Sequence, residues 1–253
     1  MMNLKLGKLP ARHDPRTLKL SAYLRLALPT PPAVVDFADA VADWQMFRND
    51  QVGDCAIAGP AHLDMGWTAL AGKPFAPSDD DVIAAYSAVS GYDPTTGDND
   101  NGCCLLDVLK FWRNVGIGGR RIGAWAAVSP AGAYRKFALW SFEGLLGGLM
   151  LPNTAQDQVG GVWDVVDPSL KGDSAPGSWG GHCITLHADS AVGEGSLTAI
   201  TWGAKQRMTE RFLRAYCDEL FCVFSEDLLC GKAASPEGFD RQSLLADLKA
   251  VAA

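Results

Sequence analysis

The apolar spacing of this chain changes character near its middle, and that change limits the folds open to it. Up to about residue 116 apolar residues recur at helical intervals; beyond it they come in short runs separated by turn residues. "CAIAGPAHLDMGWTAL" (55–70) predicts a helix that Asp54 is placed to cap. Pro60, its sixth residue, marks a kink or a first-turn adjustment. "SDDDVIAAYSAVSGY" (78–92) predicts a second helix with a Ser/Asp start and an acidic first turn. "CCLLDVLKFWRNVG" (103–116) predicts a third, ending at glycine. "AWAAVS", "FEGLLGGLML" and "VWDVV" then read as strands. The stretch from "HCITLHADS" to "CVFS" predicts two strands joined by "GEG", a helix over 209–219 and a further strand. "SPEGFDRQSLLADLKAVAA" predicts a terminal helix after a loop. Helices first and strands later define an α+β chain, a helical layer against an antiparallel sheet, with any active groove between them.

Outside those elements the chain is plainer. Residues 1–32 read as an extended arm, since "LPARHDPRTLKLSAYL" and "LPTPP" have the proline spacing of a chain laid over a surface. "VVDFADAVADWQMF" (34–47) fits strand, turn or short helix, and "RNDQVGD" is a turn. A net charge of -7 argues against a general nucleic-acid binder, which needs a basic face for phosphates. The most apolar run, "LLGGLMLP" (145–152), is far too short to span a membrane and reads as a buried strand. The start has no apolar signal region, so a cytoplasmic, reduced setting is expected. Cys55, Cys103, Cys104, Cys183, Cys217, Cys222 and Cys230 contain no CxxC pair, so no zinc knuckle is expected, and most read as small buried hydrophobes. "DPTTGDNDNG" (93–102) lacks full EF-hand spacing and a closing glutamate, which predicts a solvated loop. No cofactor or metal is called for.

Cys55 opens a predicted helix, where backbone N–H groups and the macrodipole favour a thiolate. A thiol nucleophile needs a base. Of the four histidines, His13 lies in the arm, and His62 is about two turns along the same helix, ~10 Å away. "SWGGHCITLHADS" (178–190) is different. Gly180 and Gly181 allow a close turn ahead of His182, and His187, five residues on, falls on the opposite face of the strand. His182 is the candidate base.

A cysteine heading a helix after a polar turn, a distant "GGH" leading a strand, and then "TWG" resemble the papain-like cysteine peptidases in kind and in order. "VVDF" and "NGCC" (101–104) are similar to further segments of that family, and the resemblance spans roughly residues 30–226. The "NDxxGDC", "GGH" and "TWG…MT" set resembles papain-like proteins of bacteria and their phages. The resemblance implies a papain-like domain over 33–230, helical to about 120 and β-rich after it, with a C-terminal tail and helix over 231–253. It implies Cys55 as nucleophile, His182 as base, an oxyanion donor from Asn49 (six residues before Cys55) or Gln51, and Trp202 shielding the histidine. The family asparagine that orients the histidine falls at Ile200, which cannot accept an imidazole N–H; Thr201, Asp189 and Gln206 are the candidates in its place. The family disulfide beside the nucleophile is not expected, because Val52, Gly53 and Asp54 stand there. Residues 1–30 are too brief for a typical inhibitory prodomain. The expected partner is a peptide or protein substrate, with no nucleic acid and no membrane. The alternative is a non-catalytic scaffold, for example a phage virion component.

Overall fold

The computed structural model describes residues 4–24, 29–130, 132–190, 196–226 and 239–252. Three helices come first: α1 (Cys55–Leu70), α2 (Asp79–Ser90) and α3 (Leu105–Asn114). The sheet has the order β2-β8-β3-β5-β6-β7-β4, and β1 (Val34–Asp36) pairs with β5 beside that path. Its strands are β2 (Ile122–Ala127), β3 (Leu145–Leu151), β4 (Val162–Trp163), β5 (Gly180–Ser190), β6 (Leu197–Thr201), β7 (Ala204–Met208) and β8 (Cys217–Ser225). Every pairing is antiparallel except β4 with β7, so the antiparallel sheet expected from sequence carries one parallel pair at its edge.

Each strand divides its side chains between two cores, as a period of two requires. Leu146, Cys183, Ile200, Phe221 and Val223 face the helices, where they meet Ile57, Leu63, Tyr86, Leu105 and Trp112. Leu149, Ile184, Leu186 and Phe224 join the second core with Phe142, Trp163, Phe212 and Tyr216. Helix α1 lies between the sheet and the other helices and is buried on nearly every side. That explains its weak amphipathicity: its small residues let it lie close to β5. A Cβ at Gly59 would come 2.7 Å from the Cys183 sulfur, and one at Gly66 3.0 Å from the His187 ring. Burying Ile57, Leu63 and Met65 there contributes about 1.5–3 kcal/mol each. Pro60 sits inside the helix, which runs on unbroken through it. Ser78 and Asp81 close a capping box at the start of α2.

Three segments differ from the sequence expectation. A helix, α4 (Ala133–Phe142), lies in a region expected to hold only strands and turns; its helical signal is blurred because Arg135 is buried with Phe137, Ala138 and Leu139. β7 was not foreseen, and Trp202–Gly203 is the turn joining it to β6 rather than a segment beyond the hairpin. Helix α5 (Glu210–Tyr216) ends early and runs straight into β8. The C-terminal helix, Arg241–Ala252, falls where it was expected. The "GEG" turn and Cys230 lie outside the described residues. No described helix is long and apolar enough to cross a membrane.

Candidate active site

The turn before Cys55 is held from several sides. Phe47 and Arg48 both adopt left-handed backbone conformations, with φ of 53° and 65°, which non-glycine residues rarely sustain without surrounding constraint. The buried Asn49 side-chain amide donates to the Val52 carbonyl at 3.0 Å. The Gly53 N–H donates to Asp100 Oδ1 at 2.9 Å, and the Tyr86 hydroxyl donates to the same oxygen at 2.7 Å. Asp100 therefore braces this turn, while the rest of the acidic loop over 94–101 is exposed, the solvated loop its composition predicted. Among the described residues, no cluster of three or more His, Cys, Asp or Glu could hold a metal. Asp54 occupies the N-cap position, but its side chain accepts no helix N–H; it is turned inward, and burial pushes its carboxyl well above the ordinary range. Of the two oxyanion candidates, Asn49 is buried in the turn and Gln51 is exposed.

Cys55 is the first residue of α1, and its sulfur accepts the Cys183 N–H at 3.4 Å. The thiol thus lies against the residue that follows His182. His182 is fully buried in β5; its Nε2 hydrogen-bonds the Thr201 hydroxyl, and its Nδ1 has no hydrogen-bond partner. The Trp202 indole stacks on the imidazole, 4.1 Å between centroids and 18° between planes. The local backbone explains that stacking. Trp202 and Gly203 have φ of 46° and 68°, the pair of positive values that a two-residue hairpin turn needs. That turn swings the indole over His182.

Of the three candidates for orienting His182, only Thr201 reaches it. Ile200 points into the helix-side core, and its neighbour Thr201 therefore faces the other way. Asp189 is instead paired with Arg135, at 2.8 Å. Gln206 accepts the Gly160 N–H and donates to nearby carbonyls. His62 bonds the Gln45 carbonyl at 2.7 Å and His187 bonds Thr185 Oγ1 at 3.1 Å, so both are packing residues. His13 is exposed.

The N-terminal arm runs through this site. The Lys5 N–H donates to the Asn49 carbonyl at 3.1 Å, and the Trp202 indole N–H donates to the Lys5 carbonyl at 3.0 Å. The Cys103 N–H donates to the Gly7 carbonyl at 2.7 Å, the Leu9 N–H to the Cys103 carbonyl at 2.9 Å, and the Lys8 N–H to the Gly181 carbonyl at 3.1 Å. Gly180 and Gly181, expected to make a turn, lie in strand β5, and their missing side chains admit the arm. A Cβ at Gly181 would stand 2.1 Å from the Lys8 carbonyl oxygen, and one at Gly180 2.8 Å from Leu6. Lys8 ends in an ion pair with Asp218 at 2.7 Å and Glu219 at 3.3 Å. Sequence reasoning missed Lys8, Asp218 and Glu219 as a group. Their only signal was the basic character of the arm, because 210 positions separate Lys8 from Asp218.

Burial sets the charge state. The Cys55 thiol is pushed up to about 12, first by desolvation, although the Cys183 and Gly7 N–H groups act the other way. Burial drives His182 down to about 3. Both groups are neutral at pH 7 in this closed form, against the expectation of a helix-stabilised thiolate. The magnitudes explain the outcome. A helix dipole contributes about 1 kcal/mol, at most about 2. A rise from 9.0 to about 12 corresponds to about 4 kcal/mol opposing ionisation. The described cysteines are all free, as expected.

No family model matches the chain, and no curated protein matches it in sequence. Solved structures do match in fold. Xylellain, a cysteine protease from Xylella fastidiosa, superposes with a TM-score of 0.65 at 12% identity over 88% of this chain and 97% of that one. ProCathepsin B S9 from Trypanosoma congolense gives 0.58 at 10% identity, covering 89% and 87%. Digestive procathepsin L 3 of Tenebrio molitor larval midgut gives 0.56 at 10% identity, covering 88% and 76%. The chain has the papain-like fold.

Proposed function

We propose that this chain is a papain-like cysteine hydrolase of peptide or other amide bonds, with its own N-terminal arm as the resident occupant of the cleft. The observation that carries this reading is the placement of Cys55. Its sulfur lies on the N–H of the residue after His182, while His182 has one ring nitrogen held by Thr201 and the other without a partner. With the arm displaced, His182 takes the thiol proton and the sulfur attacks the substrate carbonyl carbon. The helix-start N–H of Cys55 and an amide from Asn49 or Gln51 donate to the developing oxyanion. His182 then protonates the leaving amine, and water, deprotonated by His182, clears the thioester. Thr201 accepts the second imidazole N–H and fixes the ring; Trp202 keeps that bond from water.

The occupied cleft also favours a second reading, in which the fold is a binding scaffold whose arm is a permanent strand. Peptide hydrolysis separates the two. An arm-released chain, Lys8→Glu, is expected to cleave a fluorogenic peptide pool, with cleavage absent in Lys8→Glu/Cys55→Ala and in Lys8→Glu/His182→Ala. Folded, arm-released protein that cleaves nothing leaves the scaffold reading standing. In the same background, Thr201→Val is expected to lower kcat/KM roughly tenfold, as loss of a ring-orienting bond does, and Thr201→Ser to retain most of it. An unchanged value in Thr201→Val removes Thr201 from the mechanism.

A further inference from the structure

We infer that the pocket holding Lys8 is the substrate side-chain subsite of this cleft and that it selects a cationic residue, lysine or arginine, an inference that rests on the hydrolase reading. Three observations carry it. The Lys8 side chain is wholly buried, and its ammonium donates to Asp218 Oδ2 at 2.7 Å and to the Leu9 carbonyl at 3.0 Å, with Glu219 Oε1 at 3.3 Å. The pocket is floored by glycine: a Cβ at Gly148 would stand 2.0 Å from the Lys8 Cε, so the long stem passes only because nothing grows from that strand position. The third observation is location. Lys8 lies between Cys103 and Gly181, and Gly181 is two residues before Cys183, whose N–H meets the Cys55 sulfur.

The main-chain bonds to Cys103 and Gly181 are open to a peptide of any sequence. Selection therefore falls to the side chain that enters the pocket. Two carboxylates meet one ammonium there. When the arm leaves, Glu219 stays in a site with little water beside the more exposed Asp218, and a cation entering restores the pairing while an apolar or acidic side chain leaves Glu219 unpaired. The arm itself is bound without being placed for cleavage. It pairs with Cys103 in parallel, and its Gly7 carbonyl is taken up by the Cys103 N–H.

The test uses the full chain with Lys8→Ala, which empties the pocket. Two peptidyl vinyl sulfones, identical except for lysine or leucine in the residue next to the one bearing the electrophile, are compared by the rate at which each adds to Cys55, read by intact mass. The thiolate adds across the vinyl group, and the carbon beside the sulfone takes a proton. The lysine probe is expected to react at least about tenfold faster, and that advantage is expected to vanish in Lys8→Ala/Asp218→Asn/Glu219→Gln. Equal rates, or a leucine preference, overturn the subsite while leaving the hydrolase reading intact. A Cys55 that neither probe modifies counts against the hydrolase instead. The pocket is then decided without the thiol. n-Butylammonium is expected to raise the Tm of Lys8→Ala where n-butanol does not, and to lose that effect in the triple variant. Equal shifts from the two additives overturn the cation site.

Discussion

In the Lys8→Glu chain, iodoacetamide is expected to modify Cys55 at pH 7 about three orders of magnitude faster than in the unaltered protein. The estimate follows from ionisation alone. A thiol at about 12 is ionised to roughly one part in 10⁵ at pH 7, whereas an ordinary exposed thiol near 8.5 is ionised to a few per cent. Glutamate at position 8 would face the buried Glu219 side chain and the more exposed Asp218, and that repulsion favours withdrawal of the arm. The pH profile separates simple unmasking from a working dyad. An uncoupled thiol loses reactivity about tenfold per pH unit below 8, whereas an imidazolium-paired thiolate keeps it down to pH 5. Reactivity that persists at pH 5 and disappears in Lys8→Glu/His182→Ala establishes the pair. A wild-type rate equal to that of the variant would show that the arm does not cover Cys55 in solution.

Arg135→Met is expected to lower stability by about 3–5 kcal/mol, because it leaves the Asp189 carboxylate buried without its strongest partner. For a chain of this size that corresponds to a fall in Tm of roughly 10 °C. The two side chains are 4% and 6% exposed, so water cannot replace the lost contact. Arg135 belongs to α4, and it also donates to the Pro130 carbonyl at 2.9 Å and pairs with Glu210 on α5. Asp189 lies near the end of β5, the strand that carries His182. The pair therefore pins α4 to the strand that carries His182. Arg135→Met/Asp189→Leu is expected to recover most of the loss, since it removes the orphaned charge together with its partner. Calorimetry on the three chains decides it; a shift under about 2 °C in the single variant would mean that Lys136, 3.9 Å from Asp189, suffices.

How much of the site was legible depended on how local each signal was. Cys55 and His182 each announce themselves within a dozen residues, one as a turn running into a helix, the other as a glycine pair opening a strand. Thr201 was legible only as one of three choices. Selecting it requires the register of β6, and a slip of one residue exchanges Ile200 for Thr201 on the His182 side. That register is pinned by the Trp202–Gly203 turn, whose role as a turn needed β7, which was itself missed. Helix α4 escaped because its buried arginine broke the apolar stripe. The ionisation of Cys55 was misjudged for another reason: the helix start is visible in sequence, but the arm that dries the site comes from nearly fifty residues upstream.

The arm and the cleft belong to one covalent chain, and this makes occupancy a matter of effective concentration. A tethered segment competes at a local concentration of order millimolar whatever the dilution of the protein. Diluting the protein cannot empty the cleft, and raising its concentration cannot fill it further. Any peptide that reaches Cys55 must outcompete a neighbour that never diffuses away. Its apparent affinity is therefore weaker than its intrinsic one by the ratio of closed to open forms. Anything that takes hold of the arm elsewhere would act at the cleft without touching it.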